Sequence, residues 1–144
     1  MIGLVVTGHG HFADGLHTSA KMIAGENDKV RYVNFEDGMN IETLAEKLNA
    51  AYEELSFCDG IVVLSDLPGG SPFKTAVECA MTHPDKKIEV LAGTNLPMIV
   101  TGVTMIDFEE DPTALAEELL ETGKEFMVRF ALAEREEDEE GDGI

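Results

Sequence analysis

Ile2-Gly3-Leu4-Val5-Val6-Thr7-Gly8-His9-Gly10-His11 opens the chain and decides how the rest is read. Ile2 to Val6 is apolar at consecutive positions rather than alternate ones. That pattern marks a strand covered on both faces, as in the centre of a parallel sheet. The run stops at a histidine held between two glycines, which permit close approach of other backbone. The strand therefore delivers His9 to the mouth of a cleft.

A second stretch repeats the device. Asp59-Gly60 turns the chain into Ile61-Val62-Val63-Leu64, again fully apolar, which ends in Ser65-Asp66. Leu67-Pro68-Gly69-Gly70 is a loop, and Ser71-Pro72 reads as an N-cap followed by proline at the first helical position, with helix from Phe73 to Met81. Between the two strands, Leu16 to Ala24 has helical spacing and stops at Gly25. Val30 to Phe35 alternates like an edge-side strand. Ile41 to Leu55 is an amphipathic helix capped by Asn40. Beyond them, Lys87 to Leu91 is a fourth strand that ends at Gly93-Thr94-Asn95. Leu96-Pro97 opens a helix running to about Ile106. Asp111-Pro112-Thr113 opens a last one with Leu115, Leu119 and Leu120 inward, ending near Gly123. Glu125 to Phe130 suits a strand or a further helix equally. Strands alternating with helices give an α/β fold with a mainly parallel sheet covered on both sides.

Composition sets the class. The chain has 144 residues, 44% of them apolar, enough for one domain with a sizeable core. No apolar run approaches the ~20 residues of a membrane span. The first residues lack the basic segment of a signal peptide, which points to the cytoplasm. Cys58 and Cys79 form no metal-ligand spacing and read as buried thiols. A net charge of −19 argues against nucleic acid and anionic membranes as partners and permits a partner with a basic face. The domain is assigned to residues 1–133. Glu134 to Asp142 holds seven acidic residues, one Arg and no apolar residue, so residues 134–144 are assigned to an acidic, disordered tail.

In open parallel sheets, ligands bind beyond the carboxyl ends of the strands where the strand order reverses. Those ends carry Thr7-Gly8-His9-Gly10, Asp66 to Ser71, and Gly93-Thr94-Asn95. If the first and third strands are neighbours, their ends lie about 5 Å apart, and His9 faces Asp66. An imidazole that carries a phosphoryl group needs one free nitrogen, a partner that fixes the tautomer at the other, and donors for the phosphoryl oxygens. Asp66 could fix the tautomer. Backbone amides around Gly10, Gly70 and Ser71 could cradle the anion, with the hydroxyls of Ser71 and Thr7. Taken alone, these residues reach an anion-binding or histidine-dependent site. His11 is the rival nucleophile. His17 reads as a surface residue and His83 as structural. The spacing of His9 and His11 is a poor metal pattern, so no metal is expected.

Three segments in order, Ile2 to Gly10, Leu64-Ser-Asp-Leu-Pro-Gly-Gly-Ser-Pro-Phe73, and Ala92-Gly-Thr-Asn-Leu-Pro-Met98, resemble the mannose-type IIA component of the bacterial phosphoenolpyruvate-dependent sugar phosphotransferase system. The similarity covers about residues 1 to 130. It implies a doubly wound, mainly parallel four-stranded sheet of order 2-1-3-4, and a homodimer in which a C-terminal antiparallel strand, here Glu125 to Phe130, is exchanged. It implies that His9 accepts a phosphoryl group on Nε2 from phospho-HPr and passes it to a histidine of a IIB component, with membrane IIC and IID components downstream. Asp66 would hold the other imidazole nitrogen, and Ser71 would lie close to the phosphoryl group. No cofactor is implied. The chain reads as a free-standing IIA protein. Phe12, Leu67, Pro68 and Phe73 would form the rim that meets partner proteins. Two other readings compete: the phosphocarrier subunit of a dihydroxyacetone kinase, which shares the strand-end histidine, and a non-catalytic α/β binding module.

Overall fold

The computed structural model describes residues 1–132; the expected domain boundary at 133 and the acidic tail at 134–144 lie outside the described residues. Nine elements follow in order: β1 (Ile2–His9), α1 (Phe12–Ala24), β2 (Val30–Phe35), α2 (Ile41–Glu54), β3 (Gly60–Ser65), α3 (Ser71–Met81), β4 (Lys87–Leu91), α4 (Leu96–Met105) and α5 (Pro112–Glu125). The four strands form one parallel sheet of order β2-β1-β3-β4. β1 and β3 are central and buried along their length up to Gly8 and Ser65, as their unbroken apolar runs require.

Alternation along β1 sends its side chains into two cores. Leu4 and Val6 face Ile99 and Val103 of α4 and Leu115 and Leu119 of α5. Val5 faces Leu44, Leu48 and Tyr52 of α2 and Ala76 of α3. A fully buried leucine such as Leu48 or Leu119 contributes about 1.5–3 kcal/mol from burial alone. Asn40 caps α2 by accepting a bond from the Thr43 N–H at 2.8 Å, and Asn95 and Asp111 cap α4 and α5 in the same way.

Several boundaries differ from the sequence expectation. α1 begins at Phe12, not Leu16, because Gly10 turns the chain at φ +60° and Phe12 and Ala13 pack at once against the core. The N-cap of α3 is Gly70, in extended conformation, and Ser71 is the first helical residue with no capping bond from its side chain. α5 runs through Gly123 to Glu125, since Gly123 lets Met98 of α4 approach too closely for any side chain. Leu120 is on the exposed side of α5. After Glu125 the chain is neither strand nor helix through Phe130; Phe126, Met127, Val128, Phe130 and Leu132 are all exposed. His17 is not a free surface residue: its ring stacks on Tyr32 at 4.0 Å, and Nε2 bonds Glu26 at 2.9 Å. Cys58 and Cys79 are free and buried.

The start of β3 is as tight as its centre. A methyl on Gly60 would sit 2.2 Å from Pro112 Cγ and 2.9 Å from the Lys87 carbonyl oxygen. Gly60→Ala is therefore expected to destabilise the fold by about 1–3 kcal/mol by forcing α5 off the sheet. Urea denaturation measures this, and an unchanged midpoint would show that the α5 contact yields without cost.

Candidate functional site

The site is made where β1 outruns β3. The last pair of β1 and β3 is Thr7 with Ser65, which leaves His9 and Asp66 projecting from adjacent strand ends. Asp66 Oδ2 accepts from the His9 backbone N–H at 2.9 Å and lies 2.8 Å from His9 Nδ1. Asp66 Oδ1 accepts from the Leu67 N–H at 2.8 Å. An ionised carboxylate only accepts, so Nδ1 carries the proton and Nε2 keeps its lone pair. The His9 side chain is 46% exposed, that of Asp66 only 12%. Burial works to raise the Asp66 carboxyl. The backbone N–H of His9, the His9 ring and the Leu67 N–H together overcome it and hold the group below the ordinary carboxylate range.

Two further groups fix the ring. A Cβ on Gly70 would meet His9 Cε1 at 2.9 Å, so any larger residue there would push the imidazole away from the start of α3. Phe35 presents an edge-on ring 6.0 Å from that of His9, and its carbonyl accepts the Gly10 N–H at 2.7 Å. An open cleft of about 360 Å³ runs from His9 and Gly10 past Phe35, Glu36 and Asp37 to Met39. Phe35 carries no sequence signal of its own. It ends β2, so the expected order 2-1-3 already put it beside the end of β1.

Some expected phosphoryl donors are not available. The Gly10 N–H is held by Phe35, and the Gly70 N–H donates to the Leu67 carbonyl at 3.3 Å, so neither amide is free to cradle an anion. Thr7 is fully buried, its hydroxyl under the helices that cover β1, and does not reach the cleft. The Ser71 N–H and hydroxyl have no partner among the described residues. Of the expected rim, Leu67 and Pro68 are exposed and Phe73 is half-buried. Phe12 instead packs against the core, its ring filling the space above Gly8, where a Cβ would meet it at 2.5 Å.

His11 differs from His9 in what holds it. Its Nδ1 accepts from Asn34 Nδ2 at 3.2 Å, and Nε2 is 3.9 Å from Glu36. Its side chain is more exposed, and it has no close carboxylate partner of the Asp66 kind. His83 bonds the Cys79 carbonyl through Nδ1 and faces Glu53 through Nε2, a structural placement.

The neutral His9 imidazole is expected as the Nδ1–H tautomer, read by the nitrogen shifts of the ring in NMR. Asp66→Ala should mix in the Nε2–H form; a single unchanged tautomer would remove Asp66 from that role. The same carboxylate shapes acid stability. Its folded value lies below the unfolded value of about 3.9, so its contribution is complete above that pH and is lost as pH falls through the folded value. Asp66→Asn should therefore flatten the fall of unfolding free energy below about pH 4, measured by urea melts at stepped pH. Parallel curves for the two proteins would contradict it.

The strand-end histidine and its carboxylate occur in a known frame. The family model described as "PTS system fructose IIA component" matches residues 3–126. The mannose-specific EIIAB component of Escherichia coli K12 is 39% identical over 127 residues, 86% of this chain. The chain spans 38% of that relative's length. The fructose-specific EIIA component of Bacillus subtilis is 31% identical over 105 residues, covering 73% of this chain and 70% of the relative. Among solved structures, an EIIA component from Streptococcus agalactiae superposes with a TM-score of 0.79 at 33% identity, covering 90% of this chain and 98% of that one. A mannose/sorbose-specific IIA subunit from Enterococcus faecalis gives 0.75 at 29% identity, covering 90% and 95%. No helix among the described residues is long and apolar enough to cross a membrane. With sequence and fold in agreement over nearly all the described residues, the chain belongs to the mannose/fructose-type IIA family of the sugar phosphotransferase system.

Proposed function

We propose that this chain is a cytoplasmic phosphocarrier that takes a phosphoryl group from phospho-HPr on His9 and gives it to a histidine of a IIB component during sugar uptake through membrane IIC and IID components. The observation that carries this reading is the 2.8 Å contact of Asp66 with Nδ1, which leaves Nε2 as the unprotonated and exposed nitrogen. In the step, the Nε2 lone pair forms a bond to phosphorus as the donor's N–P bond breaks, and its electron pair returns to the donor imidazole. The Nδ1 proton stays in place against Asp66, and the positive charge that grows on the ring is met by that carboxylate. Onward transfer is the same displacement in reverse, with the IIB imidazole attacking. Positioning is most of what such a reaction asks of a protein.

Ser71, at the start of α3 beside Gly70, is the residue best placed to donate to the phosphoryl oxygens through its N–H and hydroxyl. Leu67, Pro68 and Phe73 would border the partner surface. Relatives named for mannose, fructose and sorbose share this frame, which favours a choice of sugar made by the partner components rather than at His9. The working unit is a homodimer. In support, Phe126 to Leu132 is an exposed apolar run without cover in one protomer, and β4 offers an open edge on which a second copy's run could pair as an antiparallel strand.

Incubation with labelled phosphoenolpyruvate, enzyme I and HPr should give acid-labile, base-stable label. His9→Ala should abolish it and His11→Ala should leave it. Label that survives loss of His9 would sink the assignment.

A further inference from the structure

Lys74 stands where a helix least favours a cation. It lies in the first turn of α3, against the positive end of the helix dipole, and no acidic residue balances it there. Its charge is also unpaired. Lys21, Lys29, Arg31 and Lys124 each meet a carboxylate, and Lys86 donates to the carbonyls of Ser56 and Cys58. Among the described residues, exposed Lys74 has no such partner, although Glu78 is four residues on; Lys47, Lys87 and Arg129 also lack one, so what sets Lys74 apart is its place in the first turn of α3, beside Gly70.

Its position relative to His9 follows from the helix. The Lys74 N–H donates to the Gly70 carbonyl at 2.9 Å, so Lys74 sits one turn beyond Gly70 on the same face. Gly70 is the residue against the imidazole: the Cβ position of Gly70 is 2.9 Å from His9 Cε1 and 3.6 Å from Nε2. Helix side chains lean toward the N-terminus, so the Lys74 stem can run back over the turn that carries Gly70 and Ser71. That turn is about 5.4 Å long, which a four-carbon stem spans.

The cleft creates a need for such a group. Asp66, Glu36 and Asp37 surround His9 with negative charge, and a phosphoryl group adds about two more. The Gly10 and Gly70 amides are already taken. We propose that Lys74 is a phosphoryl-binding residue whose ammonium folds over Gly70 and Ser71 onto the phosphoryl oxygens of phospho-His9. The inference rests on His9 being the phosphoryl carrier. It assigns Lys74 to holding the charged state rather than to the partner surface.

The test separates those two statements. The purified chain is loaded with phosphoramidate, whose P–N bond breaks as Nε2 takes the phosphoryl group and ammonia leaves, so no partner protein is needed. Phosphorus NMR of the loaded chain should show the phosphoryl group titrating at lower pH in wild type than in Lys74→Gln, with Lys74→Arg close to wild type. In the transfer reaction with phospho-HPr, Lys74→Gln should shift the equilibrium about fivefold toward the donor at low salt. Lys74→Arg should restore it, and high salt should erase the difference. An unchanged titration and equilibrium in Lys74→Gln would overturn the proposal while leaving His9 as carrier. A slower transfer rate at an unchanged equilibrium would also overturn it, by making Lys74 a docking residue. A wild-type chain that takes no label on His9 would instead refute the carrier reading itself.

Discussion

One carboxylate ties the ends of the two central strands together. Asp66 receives the His9 backbone N–H and the His9 ring on one oxygen and the Leu67 N–H on the other. Three donors on a mostly buried anion set its charge, its place and the tautomer of the imidazole at once. None of this survives a change of register. Because Thr7 pairs with Ser65, residues 9 and 66 emerge opposite each other, and a slip of one residue would turn every side chain of β1 to the wrong core. The apolar packing of Leu4, Val5 and Val6 on both faces therefore fixes the site as firmly as the polar contacts do.

Around that bond the site is assembled from groups that constrain the imidazole without covering Nε2. Gly70 brings the start of α3 against the ring, Phe35 closes the other side, and Asp66 holds Nδ1. On the proposed reading this economy has a purpose. A carrier must release its phosphoryl group as readily as it accepts it, so a deep cage of buried cations would trap the intermediate. One lysine on a flexible stem, exposed to solvent and screened by salt, offers a weaker hold that an incoming acceptor displaces.

The two central strands are legible because consecutive apolar residues such as Ile61 to Leu64 fit a strand buried on both faces. Their order, and the meeting of His9 with Asp66, came from the motif resemblance together with the rule that ligands gather at strand ends. What the sequence hid were facts about third parties. Whether the Gly10 and Gly70 amides are free depends on Phe35 and Leu67, and their carbonyls leave no mark on the glycines. Thr7 lies two residues before His9, and alternation along β1 puts both on the same face, with Thr7 fully buried and only His9 exposed. The start of α1 and the end of α5 differ from what local pattern predicts because Phe12 and Gly123 are settled by contacts with Gly8 and Met98, not by their own propensities.

The end of α5 lies at the same end of the sheet as the site. Asn95 caps α4 at the carboxyl end of the sheet and also donates through Nδ2 to the Gly123 carbonyl at 3.0 Å, which pins the last turn of α5 to that end. Phe126 and the exposed apolar residues after it therefore leave the core on the side where His9 opens, not on the side where the strands begin. The last turn of α5 lies on the β4 side of the same rim, while the cleft at Phe35 and Met39 lies on the β2 side. The sheet thus divides its working end. One flank carries the exposed apolar residues that follow α5, and the other carries the acidic cleft beside His9.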